Sequence, residues 1–138
     1  MMDSLTGSLT IAGSGLQAQS MRLRVVSENL ANAESTGKTP GADAFRRKLI
    51  SFENITQDGG LNLVDVKSIT RDMSNFRMER DASHPAADAN GDVKYPNVST
   101  MIELADMREA GRNYEANLQV MKQARQMISM TLDMMKER

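Results

Sequence analysis

Residues able to do chemistry are scarce in this chain of 138. It holds one histidine, His84, and no cysteine. No pair of side chains therefore has the spacing of a zinc site. His84 has no nucleophile beside it and stands before Pro85, which suits a turn or a packing contact. Asp81, Asp88 and Asp92 share one polar loop, but their spacing does not fit an EF-hand. Acidic linkers of this kind are ordinarily just solvated. No glycine loop has a phosphate-cradling pattern. Without a convergent titratable cluster the chain is not expected to be an enzyme, and no cofactor or metal is expected.

Two groups of polar residues are more specific. Arg46-Arg47-Lys48 is a basic triplet, read either as a solvated strand edge or as a contact to an acidic neighbour. Asn29 and Asn32 lie three apart near the end of a helical pattern. Asn is a poor helix-interior residue. The pair either caps that end or bonds to backbone groups of packed neighbours and fixes register, as a buried Asn does in a coiled coil. Asn113 and Asn117 flank Tyr114 in the same manner. Ser14-Gly15 reads as a close-packing step.

The elements that carry these residues are written in a seven-residue rhythm. Met2, Leu9, Leu16, Leu23 and Leu30 step along the N-terminus, with Leu5, Ala12 and Val26 between them. Met107, Tyr114, Met121, Ile128 and Met135 step along the C-terminus, interleaved with Leu104, Leu118 and Leu132. Such a repeat is the seam of a helix that packs lengthwise on another helix. The spacing predicts a first helix from Asp3 or Ser4 to about Glu34. Gly7, Gly13 and Gly15 each cost it roughly 1 kcal/mol relative to Ala, so it needs a partner to form. Ser35-Thr36-Gly37 and Pro40-Gly41 stop it.

The second helix starts near Asn97 or Thr100. Thr100 and Glu103 have capping-box spacing, with Glu103 reaching back. The helix runs almost to Arg138, about 55 Å at 1.5 Å per residue, and Lys136 and Arg138 suit its negative end. Between the helices, Phe45–Phe52 and Leu61–Ile69 flank the turn Asp58-Gly59-Gly60 and predict a hairpin. Phe76–Glu79 adds a short third strand. Asp81–Asn97, with Pro85, Gly91 and Pro96, reads as extended linker.

Composition narrows the class. Aromatic content is 4 % and there are twelve methionines. Met either fills gaps in an ordinary bundle or supplies an adaptable interface. The formal net charge is −1, so general binding to nucleic acid is not expected. No apolar run approaches the roughly 20 residues of a membrane span, and direct membrane insertion is not expected. Met1–Ile11 lacks the pattern of a Sec-type signal peptide. If the protein leaves the cytoplasm, another route takes it.

The string Ser14-Gly15-Leu16-Gln17-Ala18-Gln19, then Arg22-Leu23, Val26-Ser27-Glu28-Asn29-Leu30-Ala31-Asn32 and Thr36-Gly37, resembles the N-terminal signature of bacterial flagellar rod and hook proteins. Ala110-Gly111-Arg112-Asn113-Tyr114-Glu115-Ala116-Asn117 resembles their C-terminal motif. His84-Pro85, Ala87–Gly91 and Val93–Val98 are similar to the proximal-rod members of that family, as is the length. Ser83 and Ala86 depart from the Gly and Asp expected around His84-Pro85, and Gly111 stands where Ser or Ala is usual.

The resemblance implies a structural subunit of the proximal rod of the flagellar basal body. It would be exported without a cleaved signal through the flagellar type III apparatus into the periplasmic rod. There it would assemble with like subunits, other rod subunits and basal-body ring components into a helical tube that transmits torque and encloses the export channel. The expected fold is mainly α, with two long antiparallel terminal helices in a coiled coil and a small β-hairpin in the middle. Residues 1–36 form the N-terminal rod helix, 37–96 the hairpin and linker, and 97–138 the C-terminal helix, all one structural unit. The expected assembly interface is Leu9, Leu16, Leu23, Val26, Asn29, Leu30 and Asn32 on the first helix. On the second it is Met107, Arg112, Tyr114, Asn117, Leu118, Met121 and Ile128. Periodicity alone also admits a cytoplasmic coiled-coil adaptor or secretion chaperone.

Overall fold

The computed structural model describes residues 2–57 and 59–137. The side chain of Met2, Asp58 and Arg138, to which the sequence assigned a seam step, part of a turn and a helix-end charge, lie outside the described residues. The chain is mainly helical. Helix α1 (Met2–Ala31) and helix α2 (Thr100–Lys136) enclose four strands in sequence. Strands β1 (Lys48–Gln57) and β2 (Leu61–Arg71) form one two-stranded sheet, and β3 (Arg77–Arg80) and β4 (Asp92–Tyr95) form another. Among the described residues no helix is long and apolar enough to cross a membrane.

Helix α1 ends at Ala31, earlier than the glycine signal suggested. Gly37 has no positive φ and is not the terminating residue. Asn32 is. Its side-chain amide donates to the Glu28 carbonyl at 2.8 Å, and its oxygen accepts from the Ser35 hydroxyl at 3.1 Å. The last turn is thereby satisfied by a side chain. Helix α2 starts with Ser99 in the cap position, whose carbonyl accepts from the Glu103 amide at 3.0 Å.

The hairpin is present, shifted toward its tip. The Gly60 amide bonds to the Gln57 carbonyl at 3.0 Å, and Gly59 and Gly60 supply the positive φ values the turn requires. The Thr56 hydroxyl bonds to Asn62, and the Ser51 hydroxyl to Ser68. Between those pairs β2 supplies one more residue than β1. The extra residue falls at Val64-Asp65, two consecutive exposed positions in an otherwise alternating strand. This is the signature of a β-bulge. It keeps Leu61, Leu63, Val66 and Ser68 on one face. The amide freed at Val64 donates to the Ser14 hydroxyl at 3.3 Å, and that of Val66 to Asp65 at 2.7 Å.

The third strand does not join this hairpin. β3 pairs antiparallel with β4, Arg77 opposite Tyr95 and Arg80 opposite Asp92. The segment 81–97 is therefore a tight connection and a strand, not extended linker. Turn residues on both sides of a strand of 4 residues concealed it, and Val93, 0 % exposed, anchors it.

The chain gathers into two compact units. The first comprises Met1–Leu23, Ser51–Ser68 and Arg108–Arg138. In it α1 and α2 run antiparallel past each other: a Cβ on Gly13 would lie 3.7 Å from Met121, one on Gly15 would meet Asn117 at 2.8 Å, and Arg22 reaches Glu109 at 3.5 Å. Gly15 is thus a close-packing point. The second unit comprises Arg24–Ile50 and Ile69–Met107, and Val25, Val26, Val93 and Val98 are buried in it.

Candidate assembly surface

The second unit is organised around a charge. Glu103 is 0 % exposed. It does not reach back to cap α2, as the Thr100–Glu103 spacing suggested. Its carboxylate instead accepts from the Arg47 guanidinium and, at 3.1 Å, from the Asn29 amide. Asn29 then bonds the backbone of Lys48 in both directions, accepting from its N–H at 2.8 Å and donating to its C=O at 2.9 Å. An amide side chain here stands in for a strand neighbour. α1, the start of β1 and the start of α2 are held by one polar cluster whose members satisfy one another.

Two members of the basic triplet contact acidic neighbours. Arg47 takes Glu103, and Lys48 takes Glu28 at 2.6 Å, which holds the Glu28 carboxyl below its ordinary value. Arg46 lies over the Phe76 ring at 4.1 Å and donates to the Ser74 carbonyl at 3.2 Å.

The acidic loop is self-capped. Asp81 accepts from the Ser83 hydroxyl and amide, and Asp88 from the Asn90 and Asp92 amides. These bonds depress both carboxyls. Among the described residues no three acidic or histidine side chains are placed to hold a metal. His84 Nδ1 accepts from the Ala86 amide at 3.1 Å and its ring lies 6.4 Å from Tyr95. It has the turn and packing role its neighbours implied.

The fourteen expected interface residues divide by burial. Asn29 and Val26 are buried. Leu9, Leu16, Leu23, Leu30, Asn32, Met107, Asn117, Leu118, Met121 and Ile128 are half-buried, and Arg112 and Tyr114 are exposed. The row interleaved with Met107, Met121 and Ile128 is one residue out of phase with the expected one. Ala110 and Ala124 are buried with Glu103, whereas Leu104 and Leu132 are exposed. Outward on α2 stand Val120, Met127, Met130, Met134 and Met135, and at its start Met101 is 80 % exposed. Met127, Met130 and Met134 line a shallow cavity with Ser4 and Leu5 of α1.

Sequence reasoning missed Glu103, which it had placed at a cap. The signal was its phase: it lies seven residues before Ala110 on the buried row.

Comparison with known proteins gives the family of the chain. Residues 9–37 match the family model described as flagella basal body rod protein, and residues 89–134 match that described as flagellar basal body rod FlgEFG protein C-terminal. The class is that of the flagellar basal-body rod proteins. The chain is 53 % identical over 136 residues to the flagellar basal-body rod protein FlgC of Agrobacterium fabrum, covering 98 % of both chains. It is 37 % identical to that of Salmonella typhimurium (94 % and 96 % covered) and 34 % identical to that of Borreliella burgdorferi (93 % and 95 %). The chain belongs to the FlgC family of flagellar basal-body rod proteins.

Proposed function

We propose that this protein is a structural subunit of the proximal rod of the flagellar basal body. It reaches the periplasm through the flagellar type III export apparatus. There it joins like subunits and other rod subunits, beside the basal-body ring components, in a helical tube that transmits torque and encloses the export channel. Residues 1–36 and 97–138 supply the rod helices, paired as an antiparallel coiled coil, and 37–96 the hairpin and the β3–β4 connection. The expected interface on both helices, from Leu9 to Asn32 and from Met107 to Ile128, divides between that pairing and contacts to neighbours. The observation that carries this reading is the outward apolar surface of α2 in a chain alike in length to FlgC proteins. A cytoplasmic adaptor is the weaker account, since the likeness to rod proteins spans the chain.

The test is complementation. A strain lacking its own FlgC gene, given this chain, is expected to build complete rods visible in purified basal bodies and to swim. Full motility of the same strain without the chain, or a chain that stays cytoplasmic while rods form, overturns the proposal.

A further inference from the structure

The basic triplet leaves one of its charges unanswered. Arg47 pairs with Glu103, and Lys48 with Glu28. Arg46 has no carboxylate partner among the described residues. Its Nη1 donates to the Ser74 carbonyl at 3.2 Å and to the Asp72 carbonyl at 3.5 Å. Those bonds and the Phe76 ring, 4.1 Å beneath it, hold the guanidinium in place. Its remaining N–H groups bond to nothing among the described residues.

A second such cation comes from β2. The Asp72 amide bonds to the Arg47 carbonyl at 2.8 Å, and Ser51 meets Ser68, so Arg71 stands opposite Lys48 across the two strands. Side chains directly opposite share one face of a sheet, and like charges there repel. Glu28 answers Lys48 alone. Arg71 is exposed and has no partner among the described residues.

Arg46, Lys48 and Arg71 line one open cavity of about 200 Å³ with Asp43, Ala44 and Phe45. All six residues belong to the second unit. Asp43 is engaged by Lys94 at 2.9 Å, and that bond, followed by the charges of Lys94 and Arg46, holds its carboxyl below the ordinary value. Lys94 thus balances Asp43, and Glu28 balances Lys48. Two guanidinium groups are left around the cavity without a counter-charge. The space is below the roughly 300–1,000 Å³ of sites for drug-sized ligands, and it suits one small group. A guanidinium presents its N–H groups as a planar fork that matches carboxylate and phosphate oxygens. Such a group between Arg46 and Arg71 replaces a repulsion by two attractions.

We propose that the cavity between Arg46 and Arg71 is an oxyanion site that takes one phosphate or carboxylate group. Two cations favour a dianion over a monoanion, so phosphate binds ahead of acetate. Acetate binds ahead of chloride, which has no pair of oxygens for the fork. The formal net charge of −1 makes this a local property and not an affinity for polyanions in general. The site stands apart from the rod reading. Its group comes either from a free anion or from an acidic side chain of an adjoining subunit.

The experiment titrates the free chain with inorganic phosphate at slightly alkaline pH, with ionic strength held constant by sodium chloride, and follows amide NMR. The Ala44, Phe45, Arg46 and Arg71 amides should shift along one saturable curve with a midpoint in the millimolar range. Arg71→Gln removes a fork at an exposed position without partners, so the chain stays folded, and it should weaken phosphate roughly fivefold or more. Arg80→Gln, exposed on β3 and outside the cavity, should move the midpoint by less than about twofold. Shifts that never saturate overturn the site. So do an unchanged midpoint in Arg71→Gln, an equal loss in Arg80→Gln, or acetate binding as tightly as phosphate. The complemented strain then names the source. A swim halo at least halved by Arg71→Gln and not by Arg80→Gln supports the site with a neighbour's carboxylate in it. An unchanged halo supports it with a free anion. Failure of the unchanged chain to complement strikes the rod reading and leaves the titration to decide the site.

Discussion

Glu103→Ala offers the sharpest test of how this chain is held. The carboxylate is fully buried and takes bonds from Arg47 and Asn29. Removing one partner of a buried ion pair costs about 3–5 kcal/mol, because the other is left uncompensated. Arg47 is not sealed in, however: its side chain is 24 % exposed, so water can take over part of its pairing. That lowers the expected cost to about 2–3 kcal/mol, to which the unpaired Asn29 amide contributes. In a unit of this size each 1 kcal/mol moves the midpoint by about 4–8 °C, so the unfolding transition of the second unit should drop by roughly 10–20 °C. Glu103→Gln preserves volume and one acceptor and should lose about half as much. The assay is thermal unfolding followed by circular dichroism, with exposed Glu115→Ala as the reference. A Glu103→Ala chain within about 0.5 kcal/mol of that reference would refute the clamp.

Four further outcomes are expected. Gly37→Ala should destabilise by about 2 kcal/mol or more, since its Cβ would meet backbone atoms of Ala42 at 2.8–2.9 Å; urea unfolding measures this. Gly111→Ala, with nothing within 4 Å of the new Cβ, should stabilise α2 by about 0.5–1 kcal/mol in the same measurement. Asp43, Asp72, Asp81 and Asp88 all sit below the ordinary aspartate value, held there by Lys94, by Ser74, by Ser83 and by the Asp92 and Asn90 amides. A depressed carboxyl adds stability above its unfolded pKa that is lost as pH falls through the folded one, so the second unit should weaken below about pH 4 and Asp88→Asn should flatten that slope in acid titration. Finally, Leu23→Asp should leave the protein expressed and abolish motility, because it puts an unpaired charge at a half-buried contact of α1; wild-type swimming would remove Leu23 from any seam.

Much of this was legible in the residues. The seven-residue rhythm located both helices, and the glycines after Gln57 located the hairpin. The pairing of β3 with β4 was hidden because four residues cannot show a period, and Pro85, Gly91 and Pro96 supply turn signals all around them. The Asn pair separates into its two readings: Asn32 caps, while Asn29 bonds the backbone of a packed neighbour within the same chain. Nothing in their spacing distinguishes the two. What does is the approach of β1 to α1, a contact between residues 19 apart in the chain.

The phase error on α2 has a physical cause that bears on the whole molecule. Apart from Pro96, the buried apolar side chains among the described residues are those of alanines and valines: Ala12, Ala18, Val25, Val26, Ala33, Ala44, Ala86, Val93, Val98, Ala110 and Ala124. A rule that places the largest apolar residues inside picks Leu104 and Leu132, and both are exposed. Where Gly13 and Gly15 bring α1 close to Met121 and Asn117, small residues suit the gap and a leucine in it would overpack. Large side chains are thereby displaced outward, where the methionines of α2 remain uncovered. Each exposed aliphatic side chain forgoes roughly 1.5–3 kcal/mol of burial in the isolated chain. That energy becomes available when a neighbour covers it. The fully buried positions therefore hold small residues while the larger aliphatic ones are half-buried or exposed, and in the second unit the Glu103 cluster adds directional contacts to that small apolar core.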